Sequence, residues 1–118
     1  GRLPIGGDDT AVPAILRILE SRTGEAGGHA VIGLRQNQTP LKITPPNGFI
    51  LDWVSLDALP AAMKEAAAEH GADQFGWFAG EAEQAREMRK HFQTVLELPS
   101  ERRYSAVYWR RDESAHSH

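Results

Sequence analysis

The chain has 118 residues, 41% of them hydrophobic and 25% charged, with a formal net charge of −3. That composition is ordinary for one globular domain, and the length leaves no room within this chain for a two-domain enzyme. With no cysteine at all, it has no disulfide scaffold, cysteine zinc site, iron–sulfur cluster or thiol nucleophile.

The acidic balance lacks the basic footprint of a nucleic-acid binder. The apolar stretches fall short of the ~18–20 residues that span a bilayer. Arg2-Leu3-Pro4-Ile5-Gly6 lacks the apolar core of a secretory leader. Neither nucleic-acid binding nor membrane insertion is therefore expected, and a cytoplasmic location is.

Leu3 to Ile5 is a short apolar run closed by Gly6-Gly7 and reads as a first strand. Asp8-Asp9-Thr10 then offers three candidate helix caps in a row. Val12, Ile15, Leu16 and Leu19 recur at helical spacing, so a first helix is expected over about Ala11–Ser21. Pro13 falls in its first turn, where a missing N–H costs little.

His29 to Leu34 reads as a mostly apolar second strand, a character that suggests a strand covered on both faces. Gln36 to Gly48 carries Pro40, Pro45 and Pro46 and reads mainly as a loop, with a short extended piece at Leu41-Lys42-Ile43. Phe49 to Val54 is a third strand. A second helix is expected over Leu56–His70, closed by Gly71. Gln74 to Ala79 is a fourth strand, Glu83 to Leu96 a third helix, Pro99-Ser100-Glu101 a short helical turn, and Arg103 to Trp109 a fifth strand.

Alternating strands and helices argue for an α/β domain, a three-layer αβα sandwich around a five-stranded parallel sheet. The carboxyl ends of the strands, near Gly6, Arg35, Val54, Gly80 and Trp109, then share one edge, where open α/β sheets bind ligands. The domain is expected over residues 1–111, with a flexible tail over 112–118.

Four features at or near that edge carry candidate chemistry. Gly6-Gly7-Asp8-Asp9-Thr10 is either an anion cradle before a helix N-terminus or simply a capped helix with acidic first-turn residues. It is neither a P-loop nor a dinucleotide glycine fingerprint. Phe78-Ala79-Gly80-Glu81-Ala82 leaves room for a backbone or a flat ring to approach, with Glu81 a ligand or a helix-dipole carboxylate. Arg86, Arg89, Lys90, Arg102, Arg103, Arg110 and Arg111 outnumber Glu87, Glu97 and Glu101 late in the chain. They form either an anion-attracting field or a solvated helix face. Tyr108-Trp109 offers aromatics to stack on a planar group or to cap the core. No serine–histidine–aspartate arrangement is legible, so no catalytic residue is assigned. The histidines have no metal-like spacing, so no metal ligand is assigned.

Gly7-Asp8-Asp9-Thr10-Ala11-Val12-Pro13-Ala14-Ile15, Trp77-Phe78-Ala79-Gly80-Glu81-Ala82 with Arg86 and Arg89, and Tyr108-Trp109-Arg110 together resemble one family. It is the siderophore-interacting protein family of FAD-dependent ferric-siderophore reductases, and the resemblance is to its C-terminal, nucleotide-binding domain. It implies a ferredoxin-reductase-like sheet of order 3-2-1-4-5. It also implies NADPH or NADH along the strand carboxyl ends, hydride transfer to FAD, and reduction of Fe(III) in a siderophore with release of the iron. By position, Gly7, Asp8 and Thr10 would lie near the pyrophosphate, Gly80 and Glu81 by the nicotinamide, and Tyr108 and Trp109 at the nicotinamide–flavin junction. Arg35, ending the second strand, suits the 2′-phosphate of NADPH, where NAD enzymes place an acidic residue.

Three departures accompany the resemblance, one of them Val107, where the family usually has glycine, a change in the approach to the cofactor. The family's flavin domain does not precede this stretch, so FAD is expected on a separate flavoprotein or a missing domain, with the ferric siderophore as distal substrate. A surface left for that domain would allow self-association into a homo-oligomer. Pro4 also lies in what would be the central strand, which implies a very short first strand or irregular pairing. The competing expectation is a non-catalytic ligand-binding or regulatory module that keeps the fold.

Overall fold

The computed structural model describes residues 3–21, 27–68 and 74–111. The expected tail over 112–118, and His70 and Gly71 at the expected end of the second helix, lie outside them. Five strands, β1 (Leu3–Asp8), β2 (Gly28–Leu34), β3 (Phe49–Ser55), β4 (Gly76–Glu81) and β5 (Arg103–Trp109), form one sheet of order β3-β2-β1-β4-β5. All four neighbouring pairs are parallel. The helices are α1 (Val12–Ser21), α2 (Leu59–Ala68) and α3 (Ala82–Thr94). Single 3-10 turns at Asp9–Ala11 and Leu56–Ala58 lead into α1 and α2, and a third at Ser100–Arg102 precedes β5.

Strand alternation sorts the core into two layers. On one face Ile5, Ala30, Ile32 and Ala79 meet Val12, Ile15 and Leu19 of α1. On the other, Val31 and Phe78 meet Leu59, Met63 and Ala66 of α2 and Ala85, Met88 and Phe92 of α3. Phe78 and Phe92 are fully buried, and each contributes about 1.5–3 kcal/mol through the apolar area it removes from water. β1 is buried along its whole length because both sides of its ladder and both of its faces are occupied.

Pro4 is accommodated by register. It pairs with His29 of β2, while the ladder to β4 begins only at Ile5, which pairs with Trp77. The missing donor thus falls before the second ladder starts, where a strand tolerates proline. The connection from β2 to β3 runs without a strand from Arg35 to Gly48, so the extended piece expected at Leu41–Ile43 does not pair. Three prolines in that stretch remove donors and leave little to build a ladder with. Helix α3 starts one residue before the expected Glu83, because Glu81 and not a later residue supplies its cap.

Candidate functional site

The strand carboxyl ends at Asp8, Leu34, Ser55, Glu81 and Trp109 lie on one edge of the parallel sheet. Its strand order reverses between β1 and β4, and Asp8 stands at that switch point. Its carboxylate is fully buried and collects four donors. One oxygen, Oδ1, accepts from the Thr10 backbone N–H at 3.0 Å and from the Thr10 hydroxyl. The other, Oδ2, accepts from the Glu81 backbone N–H at 3.1 Å and from the Trp109 indole Nε1–H at 2.7 Å. One side chain therefore ties together the ends of β1, β4 and β5 and caps the turn into α1.

The two glycines flanking this point are small for the sake of that carboxylate and its surroundings. A Cβ on Gly80 would lie 2.7 Å from Asp8 Oδ2, and one on Gly7 would lie 2.6 Å from the Ala79 carbonyl oxygen. Their absence of side chain lets β1 and β4 close around the buried carboxylate.

Glu81 is 2% exposed and caps α3. Its Oε2 accepts from the Glu83 N–H at 2.9 Å and its Oε1 from the Gln84 N–H at 3.1 Å. Two of the helix's unpaired N–H groups are thereby satisfied by an anion placed where the macrodipole favours one. Arg111, just past β5, holds its guanidinium 3.9 Å from Glu81 Oε1 and 3.9 Å from Asp57 Oδ1. Gln84 donates its amide N–H to the Leu56 carbonyl at 2.8 Å, joining the starts of α3 and α2.

Arg35 follows β2 and reaches across to the turn after β1. Its Nε donates to Asp9 Oδ1 at 3.0 Å and its Nη2 to Asp9 Oδ2 at 3.4 Å. The same guanidinium lies 4.6 Å from the centroid of the Trp109 ring, a cation–π distance. The Arg35 backbone N–H is fixed by Gln38 Oε1 at 2.7 Å. Beside this group opens a cleft of about 890 Å³, lined in part by Arg35, Gln38, Trp53, Asp57, Trp109 and Arg111.

The expected site residues thus gather at one edge. Gly7, Asp8, Thr10, Gly80, Glu81 and Trp109 form a single bonded cluster, and Arg35 joins it through Trp109. Tyr108 stands at the same strand end, 43% exposed. A register shift between Gly80 and Glu81 pairs Glu81 with Trp109. Asp9 lies in the Gly6–Thr10 turn and Arg111 in the late basic cluster that the sequence singles out, whereas Gln38, Trp53 and Asp57 carry no such signal. Of these three, Trp53 is findable, because the last residues of a strand in such a sheet face the edge where open α/β sheets bind ligands. Among the described residues no three histidine, aspartate or glutamate side chains cluster as metal ligands. No described helix is long and apolar enough to cross a membrane.

The sequence matches the siderophore-interacting protein family over residues 3–112. The chain belongs to that family. It is 27% identical over 114 residues to the ferric vibriobactin reductase ViuB of Vibrio cholerae, covering 91% of this chain and 42% of that protein. Among solved structures, the siderophore-interacting protein SipS of Aeromonas hydrophila superposes with a TM-score of 0.76 at 27% identity, over 98% of this chain and 49% of that one. The siderophore-interacting protein of Acinetobacter baumannii shares the fold with a TM-score of 0.74 at 22% identity, over 98% of this chain and 51% of that one. The chain therefore spans about half the length of the relatives it matches.

Proposed function

We propose that this chain is the nicotinamide-nucleotide-binding half of a ferric-siderophore reductase. The observation that carries the reading is the cleft at the strand carboxyl ends, lined by two arginines, Arg35 and Arg111, and two tryptophans, Trp53 and Trp109. A cavity of about 890 Å³ has the size of a small-molecule site. Membership in the family supports reductase chemistry, and kinship with a ferric vibriobactin reductase supports a ferric siderophore as the final substrate.

The residues present fit such a ligand. Arg35 offers a planar donor fork that matches a phosphate better than a lone hydroxyl pair. The side chains at the end of β2, Arg35, Gln36 and Gln38, include no carboxylate to receive ribose hydroxyls. NADPH is therefore the preferred dinucleotide, with Arg35 on its 2′-phosphate. Asp8, with Gly7 and Thr10, forms the floor near the pyrophosphate and holds Trp109 in place. Gly80 and Glu81 shape the wall beside the nicotinamide, and Tyr108 with Trp109 presents aromatic surface toward the flavin. When bound, the dinucleotide supplies a hydride to FAD, which is carried by a partner flavoprotein or by a further domain. This chain's own part is to bind, to orient and to keep the strand ends rigid.

One observation favours a second reading, a ligand-binding or regulatory module without catalysis. The Asp8 carboxylate is buried at the switch point and its two oxygens already accept from four donors within the chain.

The two are separated by assaying ferric-siderophore reduction by NADPH with and without an added FAD-bearing domain of a family member. The reductase reading expects activity only when the flavin domain is present. Activity of this chain without flavin, or none in the reconstituted mixture despite NADPH binding, contradicts it.

A further inference from the structure

We infer that Asp9 is a specificity-determining residue of the cleft: it competes, within the protein, for the Arg35 guanidinium that an anionic ligand must recruit. The inference rests on the nucleotide reading above and names the group that sets selection for a phosphorylated over an unphosphorylated ribose.

The geometry is specific. β1 and β2 run in register to Asp8 opposite Gly33, so the residues just beyond, Asp9 and Arg35, project from neighbouring strand ends. They meet in a two-point contact, at 3.0 Å and 3.4 Å, through two nitrogens of the fork. The third restraint is the Trp109 ring 4.6 Å beneath the guanidinium, itself pinned by Asp8. Arg35 is therefore parked at the cleft rim and is not swinging free in solvent. Both side chains remain open to water, at 41% and 30% exposure, so the pair is weak enough to exchange partners.

Two consequences follow from charge. A ribose with free hydroxyls has nothing to offer Arg35 that outweighs a carboxylate already in place. A phosphate carries more charge and more acceptor oxygens, and arginine binds it in the same two-point manner. It can take the guanidinium from Asp9. Asp9 thus sets a threshold that a dianion passes and a hydroxyl does not. Part of the phosphate's binding energy is used to break the internal pair. Once Arg35 has left, one face of Trp109 is uncovered toward the cleft, so recognition of the phosphate and access to that ring are coupled.

The test is calorimetric titration of NADPH and NADH into the 118-residue chain and into its Asp9→Asn, Asp9→Glu and Arg35→Ala variants. In parallel, the Trp109 indole N–H signal is followed by NMR, assigned through Trp109→Phe. Asp9→Asn keeps the shape of the side chain and removes its charge. It should tighten NADPH binding about two- to fivefold, the size of an exposed ion pair, and leave NADH binding unchanged. Asp9→Glu should bring the ratio back toward wild type. Both dinucleotides bring a nicotinamide to the Trp109 end, so the wild-type Trp109 signal should move with each, and further with NADPH, which also draws Arg35 off the ring. If Asp9→Asn proves unfolded by circular dichroism, Asp9→Ser carries the same comparison. NADPH affinity unaltered, weakened, or raised in step with NADH in the Asp9 variant, while Arg35→Ala still weakens NADPH, overturns the role of Asp9 and leaves the nucleotide reading standing. No binding of either dinucleotide to any form removes the nucleotide reading, and this inference with it.

Discussion

Trp109 donates its indole N–H to Asp8 Oδ2 at 2.7 Å, joining two residues 101 positions apart. The bond fixes the end of β5 to the end of β1 across β4, through a carboxylate that also holds the Glu81 N–H and Thr10. A buried polar hub with four donors on one carboxylate makes this edge of the sheet rigid, and removing one partner is costly.

Asp8→Asn is the sharpest probe of that hub. The amide replaces an acceptor with a donor, which must then face one of the donors now served by Oδ1 or Oδ2. A buried donor left unpaired costs about 1–3 kcal/mol, and more where a charged acceptor is lost. A loss of about 2–4 kcal/mol is expected in urea denaturation, with no change in the slope of the transition. Trp109→Phe removes one donor and leaves three, so its cost should be smaller, about 1 kcal/mol.

Gly80→Ala tests why that glycine is there. Its new Cβ would fall 2.7 Å from Asp8 Oδ2 and 3.1 Å from Asp8 Cγ. Neither atom can retreat without breaking the bonds to Trp109 and Glu81. Overpacking at such a point costs about 1–3 kcal/mol. The Trp109 indole N–H resonance should shift at the same time. A neutral effect on stability with an unmoved Trp109 signal would mean the strand ends are not closed around Asp8.

The cap on α3 makes a third prediction. Glu81→Ala leaves the N–H groups of Glu83 and Gln84 without their acceptors. Lost N-caps cost about 0.5–2 kcal/mol, and the buried position of Glu81 puts this one toward the upper end. Thermal melts by circular dichroism measure it. Equal stability of Glu81→Ala and wild type would contradict the cap.

His91, in the last turn of α3, supplies the pH dependence. Burial lowers its pKa below the ordinary 6.5, the Lys64 ammonium lowers it further, and Glu87 pulls the other way. Lys64 and Glu87 are themselves paired at 2.6 Å, which joins α2 to α3 beside the imidazole. Because the folded state binds the proton less readily than the unfolded chain, His91 costs no stability above about pH 6.5. Below it, the unfolded state gains the proton first, and stability falls until the pH passes the lowered folded value. Urea midpoints measured from about pH 7.5 to about pH 5 should therefore fall less steeply in His91→Gln than in wild type. An identical slope would show that His91 does not contribute.

Much of the fold was legible in the sequence because its signals are local. From Ala30 to Leu34 the β2 run is apolar because its faces are largely covered, and together with the alternation of strands and helices it indicates a parallel sheet between helix layers. Val12, Ile15 and Leu19 all reach the core as their spacing implied. The order 3-2-1-4-5 came from the resemblance, and the sheet has it.

That the candidate residues converge on one sheet edge was legible, but the bonds between them were not. Gly7 and Gly80 read as openings for a ligand, yet the space beside them belongs to the Ala79 carbonyl and the Asp8 carboxylate. Asp8 and Asp9 are two adjacent candidate caps of the same turn in the sequence. The fold separates them completely, burying one against four donors and giving the other to Arg35. The Arg35–Asp9 contact spans 26 residues and the Asp8–Trp109 contact 101. No periodicity or propensity encodes pairings of that separation.

On the proposed reading, the strand carboxyl ends bind a nicotinamide dinucleotide and Arg35 reads its phosphate. The most direct measurement is the binding of NADPH and NADH to the purified chain and to Arg35→Ala by isothermal titration. The account predicts saturable binding with NADPH favoured, and a loss of that preference in Arg35→Ala with NADH binding little changed. Equal affinity for both dinucleotides in the wild type, unchanged by Arg35→Ala, would contradict it.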